Sequence, residues 1–468
     1  MNDKNPRQIA WRVLQQRNGG AGVSPANFTE DLLEREFSKS KLSPLDRALC
    51  QELVYGIVRR QSTLDWLIAR KTNSREQKIA LQNLLRLGLY QIFWLDKIPP
   101  HAAVHETVEL AKQNGFGPQS GFVNAILRGY LREFDETKKI LADLKISNPA
   151  IGFSHPQWLV EKWQKRFGDK KMRQLLEWNN TPPKTFARVN TLKTDAGKLI
   201  EKWRAENVEY DFVRRDWLPE NLAFELKSHP SLNLLESFRD GWFYIQDPST
   251  LLAPILLNPK SGETILDLCA APGGKTTFLA QLMNNEGKII ACDISEERLK
   301  LVRENCERLG VTCVETFQTP HPGLLPVSRG EGEKSERVRQ SSFAPPKRGE
   351  GGRRPDEGKF DKILVDAPCS NTGVMRRRVD LRWRISPEEI SCLQKTQLDL
   401  LKLAATKLKP NGILIYSTCS LEPEENSEVV KEFLREHKNF KLESKRELLP
   451  FADNVDGAFI AKLSAQKS

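Results

Sequence analysis

Across 468 residues there is no uninterrupted run of about 18 apolar residues, no C-x-x-C pair and no histidine spaced to complete a zinc site. The first absence excludes an obvious membrane-spanning helix. The others, with only eight irregularly placed cysteines, argue against a disulfide framework or structural zinc. Reduced thiols and no metal are expected. The opening Met1-Asn2-Asp3-Lys4-Asn5-Pro6 lacks the apolar segment of a secretory signal, so a cytoplasmic chain is expected. What is present is a globular composition, 39% hydrophobic and 28% charged, in a chain long enough for two or three domains. The net charge of +11 suits a polyanionic partner such as nucleic acid, although charge alone does not select one.

Residues 6 to about 140 repeat apolar positions at helical spacing. Ala80-Leu81, Leu84-Leu85, Leu87, Leu89 and Ile92-Phe93 mark a helix buried on nearly every side, and Val104, Val108 and Ala111 fall at i, i+4 and i+7. Ser43-Pro44 reads as an N-cap followed by proline in the first turn. An all-α domain over 1–140 is expected. Residues 141–245 mix a helix opening near Pro156 with strands at Thr185–Asn190 and Trp242–Ile245, a small α+β extension of the domain that follows.

From 246 to 468 strand and helix alternate. Strands are predicted at Glu263–Leu268 and Lys288–Asp293, with helices from Lys275 and over 296–309, the latter stopped by Gly310. The last strand, Ala458–Leu463, is expected at the sheet edge. Alternation of this kind predicts an α/β, Rossmann-like, doubly wound sheet. Residues 319–358 break the rhythm with six Pro and seven Gly and few aliphatics. Such a segment cannot bury enough apolar surface to offset its ordering entropy, so a disordered insertion is expected.

Cys269-Ala270-Ala271-Pro272-Gly273-Gly274-Lys275 joins the first of these strands to its helix. The glycines let backbone approach a ligand, and the helix start offers free N–H groups. Asp293 ends the next strand, where a carboxylate can accept from ribose hydroxyls. Three ligands compete. A phosphate-binding P-loop needs Gly where Cys269 stands, and the dinucleotide fingerprint G-x-G-x-x-G is absent. S-adenosylmethionine, which needs the ribose acid and no pyrophosphate site, fits best.

Two cysteines follow β-branched runs: Cys369 in Asp366-Ala367-Pro368-Cys369 and Cys419 in Ser417-Thr418-Cys419-Ser420. Both then lie at carboxyl ends of parallel strands, where open α/β sheets bind ligands. Neighbouring strands are roughly 4.8 Å apart, so the thiols, 50 residues apart in sequence, can face one substrate. A lone cysteine after a strand is most often a small buried hydrophobe; a pair at a binding rim points to covalent chemistry.

Leu266–Thr276, Val365–Ser370 and Ser417–Ser420 together resemble the NOL/NOP2/Sun RNA cytosine-5 methyltransferases, supported by Arg188-Val189-Asn190-Thr191-Leu192, Gln246-Asp247-Pro248-Ser249 and Asp456-Gly457-Ala458-Phe459. The helical region resembles a NusB-type RNA-binding bundle. The resemblance spans nearly the whole chain outside the insertion. It implies S-adenosylmethionine bound by Cys269–Lys275, Asp293 and Asp366, and methylation of carbon 5 of a cytosine in 16S ribosomal RNA, cytosine 967. It also implies Cys419 as nucleophile, Cys369 in release and Asp366 at the base N3. Free or partly assembled small-subunit ribosomal RNA would be the partner of a monomer. Arg188, Asn190 and the run Arg376-Arg377-Arg378 are candidates for RNA contact, each with a purely structural alternative. One departure stands out: the family places a further Asp after the third strand, where this chain reads Val314-Glu315-Thr316-Phe317-Gln318-Thr319. Glu315, a backbone group or an impaired site remain open.

The chemistry explains the residue types. Carbon 5 of cytosine is a poor nucleophile until a thiolate adds at carbon 6. The base must also be unstacked to be reached. Two rivals remain: a catalytically idle RNA-binding assembly factor of the same fold, and a DNA methyltransferase using Cys369, which would leave Cys419 without a role.

Overall fold

The structure, a computed structural model, describes residues 5–18, 28–319 and 359–466. The insertion expected at 319–358 therefore lies outside the described residues apart from Thr319. Two compact units emerge among the described residues: one runs to Thr181 and includes Met375–Arg384, and the other holds the remaining described residues from Pro182 onward.

The first unit is helical. Its centre is Ile79–Trp94, buried around nearly its whole circumference as the apolar run predicts. Leu84, Leu85, Leu87 and Leu89 are wholly buried, and each contributes roughly 1.5–3 kcal/mol of burial. Pro6–Asn18, Pro44–Arg59, Pro100–Gln113 and Ser120–Arg132 supply other faces of that core. Ser43 caps its helix as expected, accepting from the Asp46 N–H at 3.2 Å. Residues 141–181 join this unit rather than the α+β extension to which the sequence pattern assigned them. Two hydrogen bonds help to attach them: Thr63 donates to the Ile151 carbonyl at 2.5 Å, and the Ser62 N–H to Ser154 Oγ at 2.9 Å. Met375–Arg384 is locked into the same unit by Arg382. Its buried guanidinium donates to the carbonyls of Arg59, Ser154 and Asn179 and to Asn180 Oδ1.

The second unit contains two sheets. The smaller is antiparallel, in the order β2 (Glu209–Phe212), β3 (Ala223–Ser228), β1 (Thr185–Val189), β4 (Phe243–Ile245). Trp203, on the helix Ala196–Ala205, packs edge-on against Phe224 and Phe243 beneath it. The larger sheet comprises β5 (Thr264–Leu268), β6 (Lys288–Asp293), β7 (Val314–Gln318), β8 (Phe360–Asp366), β9 (Leu408–Thr418), β10 (Phe440–Leu448) and β11 (Ala458–Ala465). Its order is β10-β11-β9-β8-β5-β6-β7, parallel from β9 to β7 and antiparallel at β10 and β11. The strand order switches sides at β5, with β6 and β7 to one side and β8 and β9 to the other, which leaves a crevice at the carboxyl ends of β5 and β8.

The last strand is not the edge. β11 is inserted between β9 and β10, and β10 takes the edge. Burial explains the exchange: β11 is largely buried, whereas β10 carries Lys441, Glu443, Lys445 and Arg446. Charged residues on an exposed edge discourage pairing with another chain.

Candidate active site

Four strand ends of the second unit converge on one place. β5 leads into the Cys269–Lys275 loop, β6 ends at Asp293, β8 at Asp366 and β9 at Thr418. Because β8 and β9 are parallel neighbours with Asp366 opposite Ser417, the two following cysteines come together. Cys369 Sγ lies 3.3 Å from Cys419 Sγ, and the Cys419 thiol donates to Asn371 Oδ1 at 3.0 Å. They differ in access: Cys369 is buried, Cys419 only partly so. The Cys369 thiol is held well above its usual range, chiefly by its hydrogen bond with Cys419 and then by burial.

Beside the sulfurs, Lys275 Nζ meets Asp366 Oδ2 at 2.6 Å, while Ser417 donates to Asp366 Oδ1 at 2.8 Å. Burial alone would depress the Lys275 ammonium, but Asp366 against it reverses the balance and raises its pKa. The ammonium is also within electrostatic reach of Cys419. Sequence reading placed Lys275 with the cofactor; the geometry turns its charge toward the acid on β8.

The cofactor loop folds tightly over the sheet. Gly273 has φ +100°, and a side chain there would press on the Val302 backbone at 3.2 Å. Asp293 accepts from the Ala271 N–H at 3.2 Å, and Arg298 joins Asp293 Oδ1 at 3.3 Å while donating to the Ala271 carbonyl at 2.9 Å. Asp267, fully buried on β5, accepts from Thr276 at 2.6 Å through one oxygen and has no partner for the other among the described residues. Burial pushes its pKa up to about 7. This set fits a nucleoside with a charged amino-acid tail. Free N–H groups open the helix Gly274–Leu282, one acid ends β6, and an unsatisfied buried carboxyl oxygen lies beside the loop.

The structure removes Glu315 as a stand-in for the missing acid. It pairs with Lys288 at 2.8 Å near the amino-terminal half of β7, facing Ile290 of β6 in register. Three residues of strand, roughly 10 Å, separate it from Gln318, where β7 ends.

Arg188 and Asn190, expected near RNA, are interior. Arg188, 1% exposed, donates to Gln246 Oε1, the Gly274 carbonyl and Thr277 Oγ1 at 2.8–3.1 Å. It thereby ties β1 to the helix that carries the cofactor loop. Asn190 donates to the carbonyls of Gly241 and Leu309, both at 2.8 Å. Neither presents a face to a phosphate. Arg376 is likewise buried, stacked 4.1 Å over Trp178 in the helical unit, and Arg377 is half-buried. Of that run Arg378 alone is exposed.

Several site residues escaped sequence reading. Asn371 takes a left-handed conformation (φ 58°), which asparagine tolerates, and so aims its oxygen at Cys419. Gly373 donates to the Cys419 carbonyl and accepts from Gly457, and a side chain on it would strike the Cys419 oxygen at 2.6 Å. Glu425 sits beneath both cysteine loops, accepting from Ser370 and Ser420. The positive φ of Asn371 and the close approach of two glycines exist only once the strands are paired, so no local pattern announced them.

Three family models match successive parts of the chain: the NusB family over residues 4–132, the ferredoxin-like domain of RsmF/B-like methyltransferases over 155–226, and 16S rRNA methyltransferase RsmB/F over 254–323 and 350–464. The chain is 34% identical to the probable ribosomal RNA small subunit methyltransferase B of Synechocystis, covering 98% of both chains. It is also 34% identical to the probable counterpart of Bacillus subtilis, covering 93% of this chain and 94% of that one. Among solved structures, NSun6 of Pyrococcus horikoshii with SFG superposes with a TM-score of 0.55 at 26% identity, over 67% of this chain and 99% of that one. Matched over nearly its whole length by such relatives, the chain belongs to the S-adenosylmethionine-dependent 16S rRNA methyltransferases described as RsmB/F.

Proposed function

We propose that this chain methylates carbon 5 of a cytosine in small-subunit ribosomal RNA, cytosine 967 by family resemblance, through a transient bond between Cys419 and carbon 6. The observation that carries the reading is the convergence of Cys419, Cys369 and the Lys275–Asp366 pair at the mouth of the cofactor loop. S-adenosylmethionine, held by Cys269–Lys275, Asp293 and Asp267, supplies an electrophilic methyl group. Cys419, the more accessible thiol, adds to carbon 6 as thiolate and leaves carbon 5 nucleophilic. Asp366, oriented by Ser417 and balanced by Lys275, faces the base edge and shares a proton with N3 as the adduct forms. Once carbon 5 carries its new methyl group, its proton passes to a water oriented by Cys369 and from there to solvent. The carbon 6–sulfur bond then breaks, restoring the ring and freeing Cys419. Cys369 suits that later role as a neutral thiol, held so by its hydrogen bond with Cys419 and by burial, that orients the water rather than taking the proton itself.

The assembly-factor alternative draws on the missing acid after β7 and on the insertion, and leaves the paired cysteines without a role. The DNA alternative leaves Cys419 idle despite its exposure. Bisulfite sequencing of 16S ribosomal RNA from cells with and without the gene tests the reading. A single cytosine protected only when the gene is present supports it, and unchanged protection throughout overturns it.

A further inference from the structure

Beneath the two cysteine loops lies a buried acid that the chemistry above does not use. Glu425 has no exposed surface. One carboxyl oxygen accepts from the Ser370 N–H at 2.8 Å and from Gln397 Nε2 at 3.0 Å; the other accepts from the hydroxyls of Ser370 and Ser420. Ser370 and Ser420 are the residues immediately after Cys369 and Cys419, and their hydroxyls lie 3.1 Å apart. Gln397 also donates to the Pro368 carbonyl at 2.9 Å, so the residue before Cys369 is held as well. The backbone of Glu425 is fixed in turn, its carbonyl accepting from Tyr416 at 2.5 Å.

We propose that Glu425 is a positioning residue that sets the separation and orientation of the two thiols by clamping the residue following each. The inference rests on the reading of Cys369 and Cys419 as the reacting pair. Four donors converge on one carboxylate, a group that is acceptor-only when ionised and has lone pairs for all of them. Burial pushes the Glu425 carboxyl up, and its hydrogen bonds pull the other way. An amide in its place must meet the two serine hydroxyls with its N–H groups, reversing both bonds and replacing charge-assisted contacts with weaker neutral ones, so the hold on both loops loosens. Neither Ser370 nor Ser420 need touch the substrate for this to matter. A misplacement near 1 Å in a reacting group costs on the order of a hundredfold in rate.

The test compares Glu425→Gln and the Ser370→Ala/Ser420→Ala double variant with the parent in two assays. Steady-state methylation of a ribosomal RNA fragment should show kcat lowered about 10–100-fold, with KM for RNA and for S-adenosylmethionine within twofold, as for a lost orientation. The second assay needs no RNA. Diamide takes two electrons and two protons from the thiols to close a Cys369–Cys419 disulfide, and its rate should fall severalfold in both variants. Adding Glu425→Gln to the double variant should cost little more. Parental kcat and parental disulfide rate in Glu425→Gln would overturn the proposal, as would a loss confined to KM. Should Glu425→Gln fail to fold, the double serine variant with an unchanged melting temperature decides alone. If Cys419→Ala keeps activity, the covalent reading fails, while the disulfide rate still judges Glu425 separately.

Discussion

Cys369 and Cys419 bring their sulfurs to 3.3 Å although 50 residues separate them in sequence. The contact follows from one parallel pairing, Asp366 of β8 opposite Ser417 of β9, after which each chain turns over the same edge of the sheet. The two thiols are unlike. Cys419 is reachable and hydrogen-bonded to Asn371, whereas Cys369 is buried with its pKa held high by its neighbour.

If Cys369 acts in release, Cys369→Ala should bind RNA and form the bond to carbon 6 but fail to let go. Denaturing gels should show an RNA–protein band that the parent lacks, with multiple turnover reduced at least a hundredfold. An active Cys369→Ala variant without that band contradicts the assignment.

Lys275 and Asp366 form a part-buried ion pair at 2.6 Å. Removing one partner strands the other's charge, the situation that makes broken buried pairs costly. Lys275→Met should lower kcat by roughly a hundredfold or more, in line with losing one preorganised charge at a reacting centre. Binding of S-adenosylmethionine should weaken far less, because the ammonium faces the acid on β8. A calorimetric Kd for the cofactor that rises in step with the loss of kcat would return Lys275 to the cofactor.

Arg188 serves the fold. Its guanidinium is buried with three hydrogen bonds and stacks near Tyr244 and Phe278. Burial lowers its pKa to about 9. Arg188→Met should lower stability by roughly 2–5 kcal/mol, the range for losing hydrogen bonds to a charged buried group. The Kd for RNA, measured on the folded fraction at fixed salt, should be unchanged; a tenfold weaker Kd at unchanged melting temperature would restore it as an RNA contact.

Asp267 gives the second unit a pH dependence of definite sign. Its folded pKa of about 7 lies well above the ordinary aspartate value of about 3.9, so over that interval the folded state keeps a proton that the unfolded chain has released. Stability from this group is therefore fully present below about pH 4 and is lost as pH rises to about 7, with a ceiling near 4 kcal/mol. Asp267→Asn mimics the protonated form and should flatten that decline. Melting temperatures across pH 5–8 with parallel slopes for parent and variant would contradict it.

Much of this architecture is legible in the chain, and what is not has a physical reason. Apolar spacing around Leu84 gives a buried helix without tertiary information. The Gly273-Gly274 turn announces a ligand loop because few other residues tolerate its backbone. Charge is harder to read: Arg188 and Arg376 look like RNA contacts in sequence, yet the hydrogen bonds and aromatic faces that absorb them come from distant segments. Strand order is also nonlocal, since nothing in Ala458–Ala465 itself says that β10 will pair outside it. Lys275 meets Asp366 only because β5 and β8 are neighbours, and Glu425 meets both cysteine loops only because β8 and β9 are.

The central claim is that Cys419 bonds to the base. Replacing the target cytosine with 5-fluorocytosine in a ribosomal RNA fragment blocks loss of the group at carbon 5 and traps the adduct. Mass spectrometry of nuclease- and protease-treated complexes then locates the attached residue. The account predicts one cytosine-modified peptide, carrying the mass on Cys419, formed in the presence of S-adenosylmethionine and abolished by Cys419→Ala. A modified Cys369 peptide, or no adduct from an enzyme that methylates normal RNA, contradicts it.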